Sequence, residues 1–294
     1  MSLKIGTRGS RLALAQAERV ARELRESGHP IELSVITTQG DTVTGVPLHE
    51  IGGQGVFVRA LDEAILAGSI DAAVHSMKDI PARRPPGLST CAILERDSPA
   101  DFLVHALPLD TVRVIGTSST RRTAQLLRYR KGSDVRQIRG NVDTRLRKLS
   151  EGHYDAIVLA EAGLERMSLS VPGTRLPPEQ FVPAPNQGVI AVVCRDDPSV
   201  TGVLSSLDHH LTRNDVEIER AVMEEIAGGC YTPQGIFCQN GYLIGEILSL
   251  DGQRQVRIEE EIESLDDARE HGRRLRKEGG DLIREAISAL RLTE

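Results

Sequence analysis

Along the first 95 residues, short apolar runs alternate with stretches whose apolar positions recur every three to four residues. Residues 3–6 read as a strand. Ser10 is placed to cap a helix with apolar positions Ala13, Ala17, Val20 and Leu24, and Gly28 closes it. The β-branched, alternating segment 31–37 predicts a second strand. Val56, Phe57, Ala60, Leu61, Ala64 and Ile65 mark a second helix ending at Gly68, followed by a strand at 70–74. Strands alternating with helices predict a largely parallel sheet covered on both faces.

A Pro-rich break at 81–87 precedes a strand at 88–94, and the pattern then restarts. Strands are expected at 112–116, 135–138 and 155–160, with helices at 119–129 and 142–149. Segment 172–185 reads as a Pro-rich loop and 189–194 as a buried strand. A helix follows at 214–227, capped by Asn214 or Asp215. Beyond Gly228 the character changes: 242–250 and 255–263 flank Asp251-Gly252, a hairpin signal. A closing helix is expected over 265–292. The resulting division is an α/β domain over 1–95 with a return segment at about 189–211, a second α/β domain over 96–188, and a small α+β domain over 212–294.

The composition is that of an ordinary globular protein: 39% hydrophobic, 27% charged and only 3% aromatic, without Trp. The cores must therefore be built from Leu, Ile, Val and Ala. A formal net charge of −6 argues against a nucleic-acid coat. No apolar run is long enough for a membrane span, and the first residues lack an apolar leader, so a cytoplasmic protein is expected. The four cysteines, Cys91, Cys194, Cys230 and Cys238, show no paired metal spacing and are expected as reduced thiols, with no disulfide framework. Metal binding by His209-His210 is disfavoured, because neighbouring helical residues face different ways.

Three segments concentrate chemistry. Between Val112 and Lys148 lie eleven Lys or Arg against two acids. Arg128, Arg130, Lys131, Arg147 and Lys148 read as a solvated face. Arg121 and Arg122 differ, because they follow Gly116-Thr-Ser-Ser directly after an apolar strand, where N–H groups, hydroxyls and guanidinium forks can receive an anion. Arg139-Gly140-Asn141 repeats the theme at the next strand end. Open α/β sheets bind ligands beyond the carboxyl ends of their strands, so a polyanionic ligand is expected there. In the second segment, Ala73-Val-His-Ser-Met-Lys-Asp79, Asp79 reads either as half of a surface ion pair with Lys78 or as a working carboxylate; the pattern alone does not choose. The third, Gly228-Gly-Cys230-Tyr-Thr-Pro233, puts Cys230 on a tight loop and favours covalent chemistry there. Cys91 and Cys194, each inside an apolar run, read as buried structural thiols. Cys238 is left open.

Ile5-Gly-Thr-Arg8-Gly-Ser10, the Asp79 segment, Gly116-Thr-Ser-Ser-Thr-Arg-Arg122, Arg139-Gly-Asn-Val-Asp-Thr-Arg145 and Gly228-Gly-Cys230 occur in this order over nearly the whole chain. In this the sequence resembles the hydroxymethylbilane synthase (porphobilinogen deaminase) family, transferases of porphyrin biosynthesis. The resemblance implies two α/β domains like those of periplasmic solute-binding proteins (type II) plus a small α+β C-terminal domain, in a cytoplasmic monomer. It implies a dipyrromethane primer held by a thioether to Cys230 and Asp79 as catalytic carboxylate. It also implies that Lys78, Thr117, Ser118, Ser119, Arg121 and Arg122 hold the primer, while Arg8, Ser10, Phe57, Arg139, Arg145, Arg166 and Gln187 receive porphobilinogen or later rings. Four porphobilinogen units would be condensed head to tail, with loss of ammonia, and released by hydrolysis as linear hydroxymethylbilane.

Phe57 reads equally as a helix-core residue. Where the family commonly shows two lysines in an active-site loop, this chain has Glu50 and Gln54. A solute-binding protein is the main rival reading, but it has no use for Cys230 or for Asp79 among cations. A nucleic-acid-binding role for the Arg cluster is a distant third, weakened by the scarcity of aromatics.

Overall fold

The computed structural model describes residues 2–37, 56–81 and 84–291, with the side chains of Val56, Phe57, Cys230, Leu290 and Arg291 outside that description. In chain order the elements begin β1 (Leu3–Thr7), α1 (Arg11–Glu26), β2 (Ile31–Val35), α2 (Val56–Leu66), β3 (Ala72–Ser76) and β4 (Leu88–Ile93). Next come β5 (Asp101–Val104), β6 (Val114–Gly116), α3 (Thr120–Tyr129), β7 (Asp134–Arg136), α4 (Val142–Ser150), β8 (Ala156–Ala160), α5 (Glu161–Arg166) and β9 (Gly173–Leu176). The chain closes with β10 (Ile190–Arg195), α6 (Pro198–Leu204), α7 (His210–Ile226), β11 (Gln234–Gln239), β12 (Tyr242–Leu248), β13 (Gln255–Glu261), α8 (Leu265–Glu278) and α9 (Gly280–Arg291). These form two compact units, one of residues 1–97 and 188–213, the other of 98–187 and 214–294.

The first unit holds a five-stranded sheet in the order β2-β1-β3-β10-β4. β1 runs parallel to β2 and β3, whereas β10 is antiparallel to both β3 and β4. The largely parallel sheet expected from the alternation is thus a mixed one, because the returning strand β10 enters it from the opposite direction. Helix α1 forms because Ser10 caps it, its hydroxyl accepting from the Ala13 N–H at 3.3 Å. Its apolar stripe, Ala17, Val20, Ala21 and Leu24, packs on Ile5, Ala72, Val74 and Val192.

The second unit repeats the plan. Its five-stranded sheet has the order β7-β6-β8-β5-β9, with β6 parallel to β7 and β8, and β5 antiparallel to β8 and β9. With the antiparallel strand set aside (β10 in the first sheet, β5 in the second), both sheets run second, first, third, antiparallel strand, fourth. Strands β5 and β9 were not expected: β5 is four residues long and starts on an acid, and β9 lies in the segment read as a Pro-rich loop. The second unit also carries a three-stranded antiparallel sheet, β11-β12-β13. Ile218 and Val222 of α7, Ala268 and Leu275 of α8 and Leu282 of α9 cover Ile236, Leu243, Ile247 and Ile258 of that sheet.

Three further expectations need correction. Helix α7 starts at His210, four residues before the expected cap. The closing helix is two helices, broken at Gly279, where a Cβ would stand 2.9 Å from the Leu275 carbonyl oxygen and 3.0 Å from Ile247. Cys91 and Cys194 are joined in a disulfide rather than kept as separate thiols. Cys91 lies at the register irregularity of β4, where β10 has been inserted beside it and puts Cys194 opposite Ser89, a juxtaposition made by strand insertion and invisible in local spacing. Among the described residues no helix is long and apolar enough to cross a membrane.

Candidate active site

In the first unit a pocket opens at the carboxyl end of β3. Arg8 and Ser10 from the β1–α1 turn, Gln16 of α1, Val58 of α2, and His75, Ser76 and Asp79 line it. Asp79 closes a single 3-10 turn, Met77–Asp79, that follows β3, and it and Lys78 are exposed. Buried Gln16 reaches across from α1 and donates to the Ser76 hydroxyl at 2.9 Å, fixing the last residue of β3. His75 is buried, and among the described residues its Nε2 has no hydrogen-bond partner. Burial, then the charges of Arg84 and Arg8, push its pKa down to about 3, so the imidazole is neutral at neutral pH. Arg84 pairs with Asp62 of α2.

In the second unit the turn between β6 and α3 is built on internal hydrogen bonds. The Ser118 hydroxyl donates to the Ile138 carbonyl at 2.6 Å, and Ser119 caps α3, its hydroxyl accepting from the Arg122 N–H at 3.4 Å. Thr117 is buried and accepts from the Ser119 N–H at 3.2 Å. Arg121 and Arg122 both turn onto Asp101, the first residue of β5, at 2.8 and 2.6 Å. Arg121 also donates to the Val182 carbonyl, and Arg122 to that of Val158. Gln187 donates to the same Asp101 carboxylate at 2.9 Å. Burial alone would raise the Asp101 pKa, but Arg121 and Arg122 outweigh it and hold the carboxyl well below the usual carboxylate range.

Arg139 follows β7 and Arg145 lies on α4, whose start is capped by Asn141. Burial, then the charges of Arg122 and Arg139, push the Arg145 guanidinium down to about 10. Arginines that press on one another in this way favour a ligand carrying several carboxylates. The residues present therefore fit an acidic pyrrole cofactor. Arg166 sits in the last turn of α5, half-buried.

Cys230 lies in a second 3-10 turn, Gly229–Tyr231, directly after α7. Gly228 is required there, since a Cβ would come within 2.4 Å of the Thr232 hydroxyl, and that hydroxyl donates back to the Gly228 carbonyl at 2.8 Å. Cys238, left open by the sequence, is buried on β11 and its thiol donates to Asp215 at 3.5 Å. Burial, then Asp215 and Glu219, raise its pKa, which disfavours the reactive thiolate.

Apart from Arg139, Arg145 and Arg166, the described sequence-derived candidates form two groups. Arg8, Ser10, Lys78 and Asp79 gather at the β3 end; Thr117, Ser118, Ser119, Arg121, Arg122 and Gln187 gather around Asp101 and the β6–α3 turn. The Phe57 and Cys230 side chains, Glu50 and Gln54 lie outside what the structure describes. Three residues were missed. Asp101 showed only as an acid heading an apolar run, and Gln16 and His75 as ordinary members of a helix and a strand.

Residues 3–202 match the family model "Porphobilinogen deaminase, dipyromethane cofactor binding domain", and residues 214–279 match "Porphobilinogen deaminase, C-terminal domain". A probable porphobilinogen deaminase of Methanosarcina acetivorans is 51% identical, covering 96% of this chain and 93% of its own. A porphobilinogen deaminase of Nitratidesulfovibrio vulgaris is 44% identical, over 87% of this chain and 86% of its own. Among solved structures, a substrate-binding domain of a putative amino acid transporter from Streptococcus pneumoniae aligns with 73% of this chain and 94% of its own, at 13% identity and a TM-score of 0.43. The chain belongs to the porphobilinogen deaminase family, transferases of tetrapyrrole biosynthesis that work on a dipyrromethane cofactor.

Proposed function

We propose that this chain condenses four porphobilinogen molecules head to tail into linear hydroxymethylbilane, with Asp79 as the catalytic carboxylate. The observation that carries this reading is the β3-end pocket, where an exposed Asp79 shares a small recess with Arg8, Ser10 and a neutral histidine. Porphobilinogen must lose ammonia from its aminomethyl group, and the electron pair of the pyrrole nitrogen replaces the broken C–N bond. The cation so formed needs a fixed anion beside it, and a carboxylate at a strand end supplies one without reorganisation. In this reading the same carboxylate accepts and returns a proton at the pyrrole N–H.

Cys230 is the attachment point of the dipyrromethane through a thioether. When bound, that group supplies the nucleophilic pyrrole carbon from which the chain grows. Its acetates and propionates call for fixed cations and donors, a role we assign to Lys78, Thr117, Ser118, Ser119, Arg121 and Arg122. Within that set Asp101 holds the two arginines in one pose, so their positions are set before any ligand arrives. Arg8, Ser10, Phe57, Arg139, Arg145, Arg166 and Gln187 receive porphobilinogen and the lengthening product. The division of the second unit at about residue 212, a monomeric state and a cytoplasmic location belong to the same reading. Limited proteolysis, sedimentation of the purified chain and cell fractionation check them in turn.

Replacing the carboxylate tests the assignment. Asp79→Ala keeps the fold, because the side chain is exposed, and lowers turnover by about two to four orders of magnitude. Turnover within tenfold of the native rate would remove Asp79 from its role.

A further inference from the structure

Resting on the reading of the β3-end pocket as the porphobilinogen site, we propose that His75 is a further substrate-positioning residue, whose Nε2–H donates to a carboxylate of the incoming pyrrole. Its place in the fold makes the case. His75 is the penultimate residue of β3, paired with Ala191 of β10, four residues before Asp79, and it lines the same pocket. It is 5% exposed, and among the described residues no group bonds its Nε2. A buried polar nitrogen left without a partner is costly, about 1–3 kcal/mol, and such groups are rare unless something else satisfies them. A pocket wall is where a ligand can do so.

The surrounding charge decides which ligand group fits. Arg8 and Arg84 both press on the ring and lower its basicity, and burial adds to them. In a positive field of this kind an ammonium group is repelled and an anion is welcome. The neutral imidazole therefore contributes a directional donor, and the arginines contribute the charge. This separates the tasks in the pocket: His75 and Arg8 orient a carboxylate of the substrate, which leaves its aminomethyl end for Asp79.

Two measurements on the holoenzyme test the proposal. In protein labelled with 15N-histidine, the His75 Nε2 resonance, assigned by its loss in His75→Gln, shifts on addition of porphobilinogen while the imidazole stays neutral. In steady state, His75→Leu raises KM for porphobilinogen about tenfold or more with kcat within about threefold, and His75→Gln, which keeps a donor, recovers most of the loss. A merely structural histidine would lower kcat and KM behaviour together with stability and would not be rescued selectively in KM. An unmoved Nε2 resonance, or a His75→Leu enzyme with native KM, overturns the inference. Should His75→Leu fail to fold, the resonance of the native side chain decides alone. Failure here with Asp79→Ala still inactive refutes the role of His75 only, whereas an active Asp79→Ala enzyme refutes the pocket reading beneath it.

Discussion

The two five-stranded sheets share one strand order, yet the carboxylates at their strand ends live in opposite surroundings. Asp79, after β3, is exposed in a turn of three residues, beside a pocket with a neutral histidine and a half-buried arginine. Asp101, heading β5, is wholly buried and receives Arg121, Arg122 and Gln187 together. The first carboxylate stays available to a reacting molecule. The second is consumed in fixing two arginines, and Arg122 with Arg139 in turn presses on Arg145. One topology has thus been used once to present an anion and once to preorganise cations. A reaction that joins acidic pyrroles through a cation needs both.

The comparison breaks most directly at Asp101. Asp101→Asn leaves two buried guanidiniums short of their counter-charge and destabilises the second unit by about 3–5 kcal/mol, read as a lower urea midpoint. A loss under about 1 kcal/mol would show that the arginines do not depend on it. The first sheet has its own clasp in the Cys91–Cys194 disulfide, which closes a loop spanning 103 residues of sequence separation. Reduction lowers the stability of the first unit by about 2–4 kcal/mol and leaves the transition of the second in place. Alkylation of the denatured, unreduced holoenzyme should label Cys238 alone, since Cys230 is expected to carry the cofactor; labelling at Cys91 and Cys194 would show that the bond is absent.

Acid sharpens the contrast on a finer scale. His75 is held with its pKa near 3 in the folded chain, against about 6.5 when unfolded. Between those values the unfolded state binds the extra proton, so the first unit loses stability as pH falls from about 6.5 towards 3, by up to about 1.4 kcal/mol per unit. The depressed Asp101 carboxyl acts only lower: its contribution is complete above about pH 3.8 and drains away as pH falls through its folded value. Denaturation followed from pH 7 to 4 should therefore soften the first unit before the second, and His75→Gln should flatten that slope. A slope unchanged by His75→Gln would assign it to other groups.

Much of this was legible in the letters. The strand–turn–helix units announced themselves by apolar periodicity and caps, and Ser10 and Ser119 cap their helices as such residues do. Gly116-Thr-Ser-Ser before Arg121-Arg122 marked a strand–turn–helix junction, and the anion found on its arginines is the chain's own Asp101. What stayed hidden depends on distant partners. Asp101 meets Arg121 only because β5 inserts antiparallel beside β8, and Cys91 meets Cys194 only because β10 returns beside β4. His75 looks like an alternating strand residue until the neighbouring turns close a pocket around it. The Gly279 break escaped because the helical period continues through it, although Ile247 leaves no room there for a side chain.

The intact mass of the purified, denatured protein tests the central claim most directly. The account predicts an excess of two deaminated pyrrole units over the 32.1 kDa chain, abolished by Cys230→Ser. An unmodified mass that remains unmodified after incubation with porphobilinogen would contradict it.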